Sequence, residues 1–127
     1  MKDKFPRVPY GSTVHGEEEL QAVIGVLKSS TQMGQNVTLF EEKIASIFEK
    51  EFGLMTNSGT SALYLTMECL DLPKGSEIIT PVLTFATTVA SVVKNGYIPS
   101  FTDVKKNSFC IDVEQIEPRI TGNTKAI

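Results

Sequence analysis

The residues Asn57-Ser58-Gly59-Thr60-Ser61 set hydroxyl and amide groups around one glycine, where the short apolar run 52–56 gives way to a helical pattern. Glycine lets the backbone come close to a ligand, and the first turn of a helix presents N–H groups that have no intrahelical partner. The hydroxyls of Ser58, Thr60 and Ser61 can add hydrogen bonds. A phosphate suits such a turn. Serine and threonine are also the commonest helix caps, so spacing alone leaves two readings open, a structural cap and an anion site. The stretch is neither a Walker loop nor the dinucleotide fingerprint, because no Gly-Lys-Ser/Thr follows and the Gly-x-Gly-x-x-Gly spacing is absent. A second cluster, Thr80-Pro81-Val82-Leu83-Thr84-Phe85-Ala86-Thr87-Thr88, lies at another strand-to-helix junction. An aromatic at the carboxyl edge of a sheet can cover the flat face of a bound ring by offset stacking. Phe85 fits that role or a place in the core.

The remaining chemistry-bearing residues read as structural. His15 is the only histidine and precedes the acidic run Glu17 to Glu19, as expected of an exposed loop residue. Cys69 and Cys110 are distant in sequence and, with one histidine, cannot supply four closely spaced zinc ligands, so no metal site is expected and both read as free thiols. Asp103 ends a strand pattern and Asp112 looks like a cap. The lysines fall on helix faces, in loops or near the termini, where they read as solvated charge.

The elements that position these residues can be read from periodicity. Leu20, Val23, Ile24 and Leu27 repeat at helical spacing after three acids and before Lys28, which suits the helix dipole. Thr38 followed by Glu41 predicts a capping box ahead of Phe40, Ile44, Ile47 and Phe48. The run 52–56 predicts a buried strand, and 61–70, apolar on most faces, a buried helix. Glu77 to Thr80 and Ile98 to Asp103 predict two more strands, with a helix over 84–94 stopped by Asn95-Gly96. Thr124-Lys125-Ala126-Ile127 looks like the first residues of a further strand. The sequence therefore divides into a helical segment, 1–51, and an alternating strand-and-helix segment, 52–127. Such alternation predicts an α/β fold, three-layered around a mostly parallel sheet, with ligands beyond the carboxyl ends of its strands. Because natural domains seldom stop on an apolar strand, the chain reads as the front part of a longer protein.

Composition narrows the function classes. The 127 residues carry 12 Lys+Arg against 15 Asp+Glu, a formal charge of −3, with no basic block, so nucleic acid and anionic membrane surfaces are disfavoured as partners. No apolar stretch approaches the roughly 18 residues of a membrane span, and the start lacks a signal-peptide core. A cytoplasmic location is the expectation.

In chain order, several stretches together resemble the fold-type I enzymes that depend on pyridoxal phosphate, and among them the DegT/StrS-type sugar aminotransferases. These are Gly34 with Val37 to Glu41, Asn57 to Leu63, Gly75 to Pro81 with Thr84 to Thr87, Gly96 to Val104, Ile111-Asp112, and Ile120 to Ile127. The resemblance covers nearly the whole chain and implies the front part of the large domain of such a transferase. It implies that the Gly59 and Thr60 backbone, the Thr60 hydroxyl, and Ser58 or Ser61 hold the phosphate of pyridoxal 5'-phosphate. Phe85 would stack on its ring and Thr87 line the pocket. Gly11, Ser12, Thr13 and Gly34 match segments that come near the substrate or the subunit interface.

The resemblance also implies a homodimer, a nucleotide-linked keto-sugar as acceptor and an amino donor, in amino-sugar or cell-surface polysaccharide biosynthesis. In the family the Schiff-base lysine comes later in the chain than the Thr-Lys-Ala-Ile segment, so no residue up to Ile127 is a catalytic candidate, Lys125 included. The chain taken alone is expected to be inactive. Relatives with histidine in place of that lysine dehydrate the sugar, which leaves a pyridoxal phosphate-dependent sugar dehydratase as the alternative. Outside that chemistry stand a non-catalytic interaction module and a phosphometabolite-binding domain of another class.

Overall fold

The computed structural model describes residues 6–29, 31 and 34–127. Met1 to Phe5, on which the expectation about a signal peptide falls, lie outside the described residues. The chain divides into two units, Met1–Gly53 and Leu54–Ile127.

In the first unit, α1 (Glu17–Ser29) begins at the three acids and carries Lys28 in its last turn, as the dipole favours. The Glu19 carboxylate reaches back to accept from the Gly16 N–H at 2.6 Å, and that bond lowers the Glu19 pKa below the ordinary carboxylate range. Leu20, Val23, Ile24 and Leu27 share one face as their spacing predicts, yet none is buried. The second helix, α2 (Gln35–Ile47), starts a turn earlier than the expected capping box, with Gly34 at the N-cap and no side-chain cap. The Gly34 carbonyl already accepts from the Val37 and Thr38 N–H groups, so Thr38 lies inside the helix and cannot cap it. Its end is a Schellman turn through Glu49, at φ 52°, with Glu49 donating to Ser46 and Lys50 to Ala45. At Gly53 an added Cβ would lie 2.6 Å from the Glu41 carbonyl oxygen, so only glycine lets the chain pass α2 this closely.

In the second unit, β1 (Glu77–Pro81), β2 (Ile98–Thr102) and β3 (Thr124–Ala126) form a parallel sheet in the order β2-β1-β3. Central β1 buries Ile78, Ile79 and Thr80 in succession, as a strand covered on both faces must. Beside it stand α3 (Gly59–Cys69) and α4 (Ala86–Lys94), whose Met67 and Val92 pack with Ile78, Tyr97, Leu72 and Ala126 in the core. Strand β2 is an edge. The Ile98 N–H donates to the Ser76 carbonyl, so the next nitrogen faces away from β1, and Pro99 stands there without a proton to offer. Strand β3 is held at its start by Thr121 and Thr124, whose hydroxyls donate to the Glu77 carboxylate at 2.6 and 3.3 Å.

The alternating architecture and the parallel sheet are as expected. The run 52–56 differs: it forms no strand, and Phe52 and Leu54 are largely exposed. Its composition suits a strand, but among the described residues no strand lies alongside to complete a ladder, and an isolated strand has no stability of its own.

Candidate functional site

Ser58 is the N-cap of α3. Its backbone is extended (φ −163°, ψ 157°), and its hydroxyl accepts from the Ser61 N–H at 3.1 Å. The same hydroxyl lies 3.1 Å from the Ser61 hydroxyl, to which it donates. The Ser58 carbonyl accepts from the Ala62 N–H at 3.0 Å and from the Thr56 hydroxyl at 2.9 Å. Ser58 thus caps the helix, the structural one of its two sequence readings.

The next two residues are different. Among the described residues the Gly59 and Thr60 N–H groups have no hydrogen-bond partner, and both residues are exposed. A Cβ built on Gly59 meets nothing within 4 Å, so no atom of the chain itself demands glycine there. What results is a pair of unpaired donors at the positive end of an 11-residue helix, with the Thr60 hydroxyl alongside and open space above Gly59. That geometry suits an anion carrying several acceptor oxygens.

Thr60 and Ser61 also border a cavity of about 440 Å³ with Asn57, Tyr64, Leu65 and Lys94. The Lys94 ammonium stands 4.4 Å from the centre of the Tyr64 ring, a cation–π contact. In the sequence Lys94 reads as solvated charge, and nothing singles out Tyr64. No local signal could have found the pair, because only the packing of α3 against α4 brings position 94 to position 64.

At the second junction, Phe85 is the N-cap of α4 with an extended backbone and no side-chain cap bond. Phe85 is 70% exposed and packs into no core among the described residues. Thr87 is half-buried in the first turn, and neither residue lines the cavity. The site residues therefore fall in two groups, 58–61 at the start of α3 and 85–87 at the start of α4. Gly11, Ser12 and Thr13 are exposed in irregular chain, and Gly34 caps α2, all in the other unit. Asp103 and Asp112 hold backbone, accepting from the Val104 and Glu114 N–H groups at 2.7 and 3.3 Å. The Lys125 ammonium donates to the Gly122 carbonyl at 2.9 Å, which occupies it structurally. Cys69 and Cys110 are free and exposed.

Residues 13–127 match the DegT/DnrJ/EryC1/StrS aminotransferase family. The chain belongs to that family. Among its relatives, the spore coat polysaccharide biosynthesis protein SpsC of Bacillus subtilis is 33% identical over 121 residues, covering 94% of this chain and 31% of its own length. The 3-oxo-glucose-6-phosphate:glutamate aminotransferase of the same organism is 34% identical over 132 residues, covering 98% and 29%. Among solved structures, the Escherichia coli GDP-4-keto-6-deoxy-D-mannose-3-dehydratase with bound hydrated pyridoxal phosphate superimposes with a TM-score of 0.87 at 31% identity. That match covers 95% of this chain and 33% of the dehydratase. A variant of the similarly named dehydratase holds GDP-perosamine. The chain thus spans about a third of the length of these DegT-family relatives.

Proposed function

We propose that the start of α3 is the phosphate cradle of a pyridoxal 5'-phosphate-dependent aminotransferase acting on a nucleotide-linked keto-sugar in amino-sugar or polysaccharide biosynthesis. The observation that carries this reading is the pair of unpaired N–H donors at Gly59 and Thr60, beneath open space. Thr60 adds its hydroxyl, while Ser58 and Ser61 shape the turn and hold each other. The exposed ring of Phe85 offers an aromatic face at the carboxyl end of β1, with Thr87 two residues on in the first turn of α4. When bound, pyridoxal phosphate supplies an aldehyde that takes up an amino group and a ring that accepts the electron pair left by proton removal. The protein's part is to grip the phosphate and fix the ring plane, so that one face is covered and the other stays free for reaction.

In this reading residues 52–127 form a partial cofactor domain preceded by a helical segment, 1–51, and the Schiff-base lysine belongs to the part of its relatives' length that the chain does not span. A homodimer in the cytoplasm, with Gly11 to Thr13 and Gly34 near substrate or interface, completes the proposal. The likeness to the dehydratase favours sugar dehydration as the second reading. Both share the cradle. Calorimetric titration with pyridoxamine 5'-phosphate, which cannot condense with lysines, against pyridoxamine tests it. Binding that requires the phosphate is expected; equal affinity for the two compounds would overturn the cradle.

A further inference from the structure

Helix α3 has no fully buried side chain, although its first turn must be placed accurately if it is to hold an anion. Its apolar contacts come from half-buried residues such as Leu63 and Met67, and contacts of that kind tolerate sliding. Directional bonds to its main chain do not, and residues 95 and 97 supply them. The Asn95 amide donates to the Tyr64 carbonyl at 3.3 Å. The Tyr97 hydroxyl donates to the Met67 carbonyl at 3.2 Å and accepts from the Leu72 N–H at 3.1 Å, just past the helix end. Tyr64 and Met67 are three positions apart, so the two gripped carbonyls share one side of α3 and fix both its rotation and its axial position.

The grip is itself rigid. Asn95-Gly96-Tyr97 forms a Schellman turn, with Gly96 at φ 82°, its N–H on the Val93 carbonyl at 2.9 Å and the Tyr97 N–H on the Val92 carbonyl at 3.1 Å. The Asn95 amide also donates to the Ser91 carbonyl at 2.9 Å. Tyr97 is buried in the core beside Ile78, and the Gly96 carbonyl accepts from the Gly75 N–H at 2.9 Å. An α-helix of this length, roughly 16 Å, transmits a shift at one end to the other almost undiminished. Hydrogen bonds to a phosphate weaken steeply outside a window of a few tenths of an ångström.

We propose that Asn95 and Tyr97 are positioning residues that set where the Gly59 and Thr60 donors stand, acting on α3 at its middle and in its last turn. The functional consequence rests on the phosphate-cradle reading; the mechanical claim does not. The experiment compares the chain with its Tyr97→Phe and Asn95→Ala variants, using Thr121→Val, which loosens the far edge of the sheet, as the control for destabilisation. Two quantities are read in each: the amide resonances of residues 59–61 without ligand, and the dissociation constant for pyridoxamine 5'-phosphate. Tyr97→Phe keeps the ring packing and is expected to shift the Gly59 and Thr60 resonances and to weaken binding by about fivefold. Thr121→Val is expected to do neither at an equal loss of thermal midpoint. Unchanged resonances at 59–61 in both variants would overturn the proposal, leaving Tyr97 a purely structural residue. Shifted resonances in a chain that binds no pyridoxamine 5'-phosphate would uphold the positioning and overturn the cradle instead.

Discussion

The starts of α3 and α4 use similar residues to opposite ends. Each has an N-cap with an extended backbone, and each junction is rich in serine or threonine. At α3 the cap is a side chain, Ser58, and the two residues after it keep their N–H groups free. At α4 the N-cap is Phe85, which has no group to cap with, and nearby hydroxyls pair with each other, Thr84 donating to Thr88 at 3.0 Å. Among the described residues both junctions leave two N–H groups unpaired, Gly59 and Thr60 at the first and Ala86 and Thr87 at the second; the first adds open space above a glycine, the second an exposed aromatic face. The contrast shows that unpaired N–H groups are common to both helix starts; what sets α3 apart is a glycine that leaves open space above them.

The largest effect is expected from Gly59→Val. Because a Cβ at 59 meets nothing, the thermal midpoint should stay within about 3 °C. Affinity for pyridoxamine 5'-phosphate should fall by about tenfold or more, since the side chain would stand where the anion sits. A large loss of stability with intact binding would show that the space above Gly59 serves the fold. Ser58→Ala tests the other half of the same turn: thermal unfolding should show a cost of about 1 kcal/mol from the lost cap. No loss of stability would mean that the hydroxyl is free for a ligand.

At the second junction, Phe85→Ala should change stability by no more than about 0.5 kcal/mol, because its ring is already in solvent. Binding of the phosphorylated vitamer should weaken by about threefold through lost stacking, by the same titration. A third helix start sharpens the contrast with the smallest effect. At α1 the cap is the Glu19 carboxylate, held below its ordinary pKa by the Gly16 N–H. Its contribution is therefore complete above the unfolded glutamate value near pH 4.3 and is lost as the pH falls through the lower folded value. Glu19→Gln should flatten that part of the pH–stability curve, as followed by circular dichroism.

Much of this was legible in the residues. Asn95-Gly96 marks the end of α4 because only a residue that accepts positive φ closes a Schellman turn, and the alternation of β1, α4 and β2 follows from that punctuation. Thr38 and Glu41 misled because a capping box is a local pattern, and Gly34 offered the backbone an earlier start with its own carbonyl. The run 52–56 misled for a different reason: composition states that a segment suits a strand, while pairing depends on what lies beside it. The core reading of Phe85 stayed open in sequence because an aromatic near a helix start carries no mark of which way it faces. Tyr64 and Lys94, and the Tyr97 hydroxyl on the Met67 carbonyl, were invisible for the same cause, each being a contact across some 30 residues of chain.

The most direct measurement is a titration of the isotopically labelled chain with pyridoxamine 5'-phosphate, followed amide by amide. Saturable shifts are expected, largest at Gly59 and Thr60, with inorganic phosphate moving the same two resonances more weakly. Shifts confined to lysine-bearing surfaces, with Gly59 and Thr60 unmoved, would contradict the cradle.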